Sequence, residues 1–110
     1  MEIRISQMEN YLKERYGGWT TEQGLFMKLV EEMGEIAEVL NKRSGAKAST
    51  SEDLQCELGK ELADLIHYAI AIAAISDIDL SGTILEKDRV ASAKYGHNIN
   101  LETYITNNEK

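Results

Sequence analysis

An all-α fold, a bundle of four to five helices, is predicted by three observations. Four segments repeat apolar residues at helical spacing, no segment alternates apolar and polar residues as a strand would, and the 110 residues contain no proline to break a helix. The first helix runs from about Ile3 to Arg15, with Ile5, Met8, Tyr11 and Leu12 on one side, and Gly17-Gly18 stops it. The second opens at Thr20, whose hydroxyl can cap the first turn while Gln23 reaches back as in a capping box, and it continues to about Lys42 or Arg43. SGAKASTSED is dominated by small polar residues and reads as a flexible connection, with Ser49 or Ser51 capping the next helix. That third helix spans about Glu52 to Ile75. Ser76-Asp77-Ile78-Asp79 is a turn with another cap. The fourth helix carries Leu80, Ile84, Leu85, Val90 and Ala91 to about Tyr95, and Gly96 ends it. The asparagine-rich tail, 97–110, is expected to pack only through Ile99, Leu101, Tyr104 and Ile105, beside a core of about residues 20–96. The length allows a single domain, 1–110.

Composition narrows the function. Twelve Lys+Arg stand against 19 Asp+Glu, a formal net charge of −7, and no basic cluster is present. Proteins that coat nucleic acid need Lys/Arg stripes, so a nucleic-acid partner is not expected. Phosphates that arrive with a metal are a different matter. The longest apolar stretch, Leu65 to Ile75, is too short to cross a bilayer, and the N-terminus carries no signal-peptide or transit-peptide pattern. With Cys56 the sole cysteine, no intrachain disulfide can form. These features predict a cytoplasmic protein without a membrane partner. A chain this short hides only about two thirds of its unfolded surface on folding. From Leu65 onward the third helix is apolar nearly all round, so a homodimer or homotetramer is expected to cover it.

The acidic residues are unevenly placed. On a wheel of about 100° per residue with Leu25 at zero, Leu25, Phe26, Leu29, Val30, Met33, Ile36, Ala37 and Leu40 form an apolar arc from about 0° to about 140°, a normal buried face. Glu31, Glu35 and Glu38 fall outside it, between about 220° and about 280°, but Glu32 falls at about 340°, at the edge of that face. No Lys or Arg is interleaved within EEMGEIAE to relieve the repulsion. In the third helix Glu61, Tyr68 and Asp64 all lie on one side of Leu54, within about 80° of it, and the same side continues into Ala71 and Ile75. This acidic stripe runs into apolar surface. Unpaired carboxylates there are costly to desolvate, so they need cations. Glu32/Glu35 and Glu61/Asp64 each have i, i+3 spacing, and two facing helices bearing such pairs can offer four carboxylates to a hard ion. Mg²⁺, retaining waters and taking substrate phosphate oxygens, is the natural occupant, with Mn²⁺ a substitute.

At these residues the chain resembles the MazG-type all-α nucleoside triphosphate pyrophosphohydrolases. Their hallmark, E-E-x-x-E followed by E-x-x-D, is similar to Glu31-Glu32-Met33-Gly34-Glu35 and Glu61-Leu62-Ala63-Asp64, and the likeness covers about Leu25 to Tyr95. The resemblance implies Mg²⁺-dependent hydrolysis of a (d)NTP between its α and β phosphates to the monophosphate and pyrophosphate, in nucleotide-pool house-cleaning. It implies that Glu32, Glu35, Glu61 and Asp64 ligate the metal and that Glu31 holds or deprotonates the attacking water or binds a second ion. Lys87 and Lys94 match basic positions that contact phosphates in relatives, although lysines late in a helix also suit its dipole. Tyr68 matches an aromatic position near the nucleotide in the dCTP-hydrolysing members, where it would stack on or bond the nucleoside, with a core tyrosine the alternative. Trp19 either lines the base pocket or staples the entrance of the second helix. Relatives often carry Asn where this chain has Ala91, so no relative's base or sugar preference carries over.

Three other readings compete. Asp64-x-x-His67 is a carboxylate–histidine pair of the sort di-iron bundles use, but only one such pair exists and His67 sits about 120° around the helix from Glu61. A buried or subunit-contact histidine is the simpler account. Phosphoribosyl-ATP pyrophosphohydrolase shares the fold and the metal carboxylates and changes the substrate rather than the chemistry. A non-catalytic helical interaction module is the third, and the full set of five acidic motif residues speaks against it.

Overall fold

The computed structural model describes residues 1–45 and 51–109, with side chains of the third helix described from Asp53 onward. It contains helices α1 (Ile5–Tyr16), α2 (Glu22–Ser44), α3 (Ser51–Ile75), α4 (Leu80–Lys94) and α5 (Leu101–Asn108), and no strand among the described residues. The all-α prediction holds, and the sequence-derived ends of the first four helices fall within two residues of these bounds. The connection with its Ser49 cap, and the side chain of Ser51, lie outside the described part of the chain.

Two local expectations are corrected. The cap of α2 is Thr21 rather than Thr20: the Thr21 hydroxyl accepts from the Gly24 N–H at 2.9 Å. Thr20 still belongs to the turn leaving α1, since its N–H donates to the Tyr16 carbonyl, and with glycine at the third position no capping box can form. Gly18 supplies the left-handed residue of that turn at φ 89°, and Gly96 does the same after α4 at φ 69°. The tail, in turn, is helical. Asn100 caps α5 by accepting from the Thr103 N–H at 2.9 Å, and the Leu101 N–H donates to Asp88 Oδ2 on α4 at 2.6 Å. Polar end bonds fasten α5, whereas Ile99, Tyr104 and Ile105 stay substantially exposed.

Helices α2 and α3 form the principal pair, α1 lies across α3, and α4 packs on α5 and α1. The buried core gathers Leu12, Leu25, Ile70, Ala71 and Ala74, with Ile5, Met8, Tyr16, Tyr68, Ile72, Ile75 and Leu80 against it. Since Leu25 meets residues 70–74, α2 and α3 run antiparallel. Side-chain bonds clamp the α3–α4 turn to its neighbours. Lys13 pairs with Asp77, which sits at φ 55°, the Ser76 hydroxyl donates to Glu22 at 2.7 Å, and the Leu80 N–H donates to Glu9 at 2.9 Å. Beyond that turn α4 leaves at 106° to α3. No single described helix is long and apolar enough to cross a membrane.

The buried face of α2 differs from the predicted arc. Leu25 and Val39 are buried and Leu29 and Ile36 half-buried, whereas Phe26, Val30, Met33, Ala37 and Leu40 are exposed. Contact with α3 centres on the line of Leu25, and the side carrying the exposed residues has no covering element among the described residues. On α3 the expectation of burial on several sides holds from Ile70 to Ala74, while Leu62, Ile66 and Ala69 stay open. The chain is correspondingly extended. Its radius of gyration is 17.1 Å, against about 13 Å for a compact chain of this length. Its accessible surface is 8468 Å², against roughly 6,100 Å² for a compact monomer of this mass.

Candidate metal centre

The α2–α3 seam repeats in heptads. Leu25, Glu32 and Val39 succeed one another on α2, and Leu54, Glu61 and Tyr68 on α3, so each glutamate occupies the middle level of a row that is apolar at its start. Glu32 is only about 20° around the helix from Leu25, on which the seam is centred, so it is inside the contact rather than at its edge. Glu32, Glu61 and Asp64 each bring a carboxylate oxygen to within 4.8 Å of the other two. The Oε2 atoms of Glu32 and Glu61 are shielded from solvent and have no hydrogen-bond partner. An unsatisfied buried acceptor costs about 1–3 kcal/mol, and a charged one more. Two such carboxylates brought together suit a hard cation, which would satisfy both at once.

The electrostatics of the site agree with that geometry. Burial is the largest effect pushing the Glu32 carboxyl above its usual range; the adjoining Glu61 carboxyl, with which it can share a proton once one of the pair is protonated, opposes it, and the nearby Glu35 adds to it. Glu35 lies at the rim, exposed, and its carboxyl is raised chiefly by hydrogen bonding with Glu61. A raised carboxylate pKa means that the charged form is the costlier one in the fold. The metal-free protein therefore loses stability as pH rises through these values, and a bound divalent ion reverses that sense. Because protons compete with the ion, Mg²⁺ affinity measured by calorimetry is expected to weaken on acidification before pH reaches the ordinary carboxylate value of 4.5. An affinity constant down to that pH would contradict the assignment.

The other candidate residues separate by position. Glu31 points to the solvent flank, where Lys28 Nζ lies 3.4 Å from its Oε2, and Lys42 pairs with Glu38 at 3.7 Å. The two ends of the acidic stripe thus have lysine partners that EEMGEIAE itself does not contain. Tyr68, one turn beyond Asp64, is half-buried, and its hydroxyl is raised in pKa mainly by burial, with Tyr16, Glu32 and Asp64 adding to the shift and Lys28 opposing it. Trp19 does not staple α2. Its indole N–H donates to the Arg15 carbonyl at 2.8 Å, and its ring lies 5.7 Å from that of Tyr16, leaving it 70% exposed at the end of α1. Lys87 and Lys94 stand apart from the carboxylates, in a groove on α4 with Glu86, Val90, Ala91 and Tyr95. Lys28 and Tyr16 escaped the sequence reading, and so did the bond between Tyr16 and His67. Lys28 had a signal, its place one turn before Glu32, whereas Tyr16 and His67 are 51 residues apart and nothing in the pattern links them.

Residues 20–94 match the MazG nucleotide pyrophosphohydrolase domain, a span that takes in α2, α3, α4 and all five motif carboxylates. The chain belongs to the MazG family. Its structure is similar to the crystal structure of iMazG from Vibrio DAT 722, with a TM-score of 0.62 and 27% identity over 84% of this chain and 98% of that one. No curated protein matches it. In this MazG chain α1, Tyr16 and Trp19 precede the matched residues.

Proposed function

We propose that this MazG-family chain is a Mg²⁺-dependent nucleoside triphosphate pyrophosphohydrolase that cleaves between the α and β phosphates and releases the monophosphate and pyrophosphate. The observation that carries this reading is the convergence of Glu32, Glu61 and Asp64 in the helix seam, with two shielded oxygens lacking partners. These three hold the ion, and Glu35 completes the set from the rim. A bound Mg²⁺, for which Mn²⁺ substitutes, offsets polyphosphate charge and polarises the scissile phosphoryl group. The rest falls to the chain. Glu31, on the solvent flank, orients or deprotonates the attacking water. Tyr68, beside the carboxylates, and the exposed Trp19 contact the nucleoside.

The assembly is part of the same proposal. The surface in excess of a compact monomer is roughly 2,400 Å², whereas a standard interface takes about 800 Å² from each partner. A homodimer or homotetramer that covers the Phe26–Val30–Met33–Leu40 stripe accounts for it. Because α4 turns away at 106°, Lys87 and Lys94 meet the phosphates within that assembly rather than within one chain. Product identity tests the chemistry. Each (d)NTP is incubated with protein and Mg²⁺, and the products are separated by anion exchange. Monophosphate and pyrophosphate are expected; orthophosphate and diphosphate, or no turnover of any substrate, would refute the reading.

A further inference from the structure

Four rings run in a row from the carboxylates to the outer surface: Tyr68, His67, Tyr16 and Trp19. His67 is the link between the two helices. Its ring meets Tyr68 edge-on at 5.0 Å and Tyr16 edge-on at 5.6 Å, and its Nε2 lies 2.7 Å from the Tyr16 hydroxyl. Trp19 then packs on Tyr16, and the Arg15 guanidinium lies 5.8 Å above the Tyr16 ring. We propose that His67 is a positioning residue for nucleoside binding: through Nε2 it holds the Tyr16 hydroxyl, and so fixes the α1 end of the aromatic row beside the metal centre.

Several observations support this. Tyr16 is the last residue of α1, where a helix end frays unless side chains tie it down. Its hydroxyl is hydrogen-bonded to His67 across 51 residues of sequence. Burial, with the charge of Arg15 adding to it and Asp64 opposing, lowers the His67 pKa, which favours the neutral ring that can accept the phenol proton at Nε2. Tyr16 and Tyr68 from the two helices, Arg15 from α1 and Asp64 from α3 are the groups that set its state. A nucleotide whose phosphates sit on the ion at Glu32, Glu61 and Asp64 extends its base away from them, and this row is what lies alongside Tyr68.

The role rests on the proposed hydrolysis, and the experiment separates the two. Kinetics with the best nucleoside triphosphate are measured for the unaltered enzyme and for Tyr16→Phe, His67→Phe, the double variant and His67→Gln, with pyrophosphate as a competitor that carries no base. Losing one hydrogen bond corresponds to about a 3- to 10-fold effect. KM is expected to rise by that factor in either Phe variant, with kcat within about twofold and the pyrophosphate inhibition constant unchanged. The double variant is expected to be no worse than the worse single one, because both remove the same bond. His67→Gln, which keeps an acceptor, restores most of the loss. Tyr16→Phe removes one oxygen atom and keeps the ring, so it remains readable if a His67 variant fails to fold. Unchanged KM in Tyr16→Phe, a pyrophosphate constant that shifts in step, or a His67→Gln enzyme as impaired as a folded His67→Phe would overturn the positioning role while leaving the hydrolysis intact. No turnover by the unaltered enzyme removes both.

Discussion

Glu61→Gln is expected to lower kcat/KM by at least about 10²- to 10³-fold, the loss typical when one preorganised charge contact to a reacting phosphoryl group disappears. The same substitution is expected not to weaken the metal-free fold. Glu61 Oε2 is shielded and without a partner, and a Glu61 carboxylate oxygen stands within 4.8 Å of carboxylate oxygens of Glu32 and Asp64. A neutral amide of the same shape costs less to bury there and can donate to either neighbour. Activity should therefore fall while the melting temperature in chelator holds or rises, and the rise in melting temperature on adding Mg²⁺ should shrink. Glu38→Gln is the matched control. Glu38 carries the same charge on the same stripe but pairs with Lys42 on the exposed flank, so its activity should stay within about twofold. A Glu61→Gln enzyme that turns over normally would disprove the metal assignment. One that loses activity by melting would show that Glu61 is structural.

Leu40→Glu is expected to convert the proposed homo-oligomer into monomers. Leu40 is 47% exposed and lies two turns beyond Glu32, on the open side of α2 with Phe26, Val30 and Met33. Burying a leucine fully contributes about 1.5–3 kcal/mol, and a carboxylate in its place must also be desolvated. A dimer holds two copies of the site, so the substitution counts twice. The dissociation constant should rise by about 10³-fold or more, read by sedimentation velocity across a concentration series. Helix content of the monomer, by circular dichroism, should change little, since Leu40 contributes nothing to the buried core of one chain. An unaltered oligomer would mean that the stripe is covered by something else.

How far the sequence could lead differs between backbone and faces. Helix positions were legible because period, caps and glycine stops are local. Which half of an apolar arc is buried was not. The α2 arc spans both the seam, near Leu25 and Leu29, and the open stripe, from Phe26 to Leu40, and nothing within one helix tells an intrachain neighbour from a second subunit. The acidic site was legible in part for the same reason. Two i, i+3 pairs on one chain pointed to converging carboxylates, and Glu32, Glu61 and Asp64 do converge, while the place of Glu35 at the rim depends on how α3 sits. The α5 helix was missed because its end bonds, from Asn100 and from Asp88, outweigh a weak apolar pattern. The aromatic row depends on α1 crossing α3, which no spacing within either helix encodes.

Glu31 and Glu32 are neighbours of one type with different surroundings, the first paired with Lys28 in water and the second half-buried in the seam with one oxygen shielded. A single step of about 100° separates them. The site is therefore written in register rather than in composition. One residue added between Leu25 and Glu32 turns everything after it by that step, carries Glu31 into the seam and sends Glu32 toward the open stripe. Within this architecture the two helices are rulers whose length between anchor and ligand is fixed.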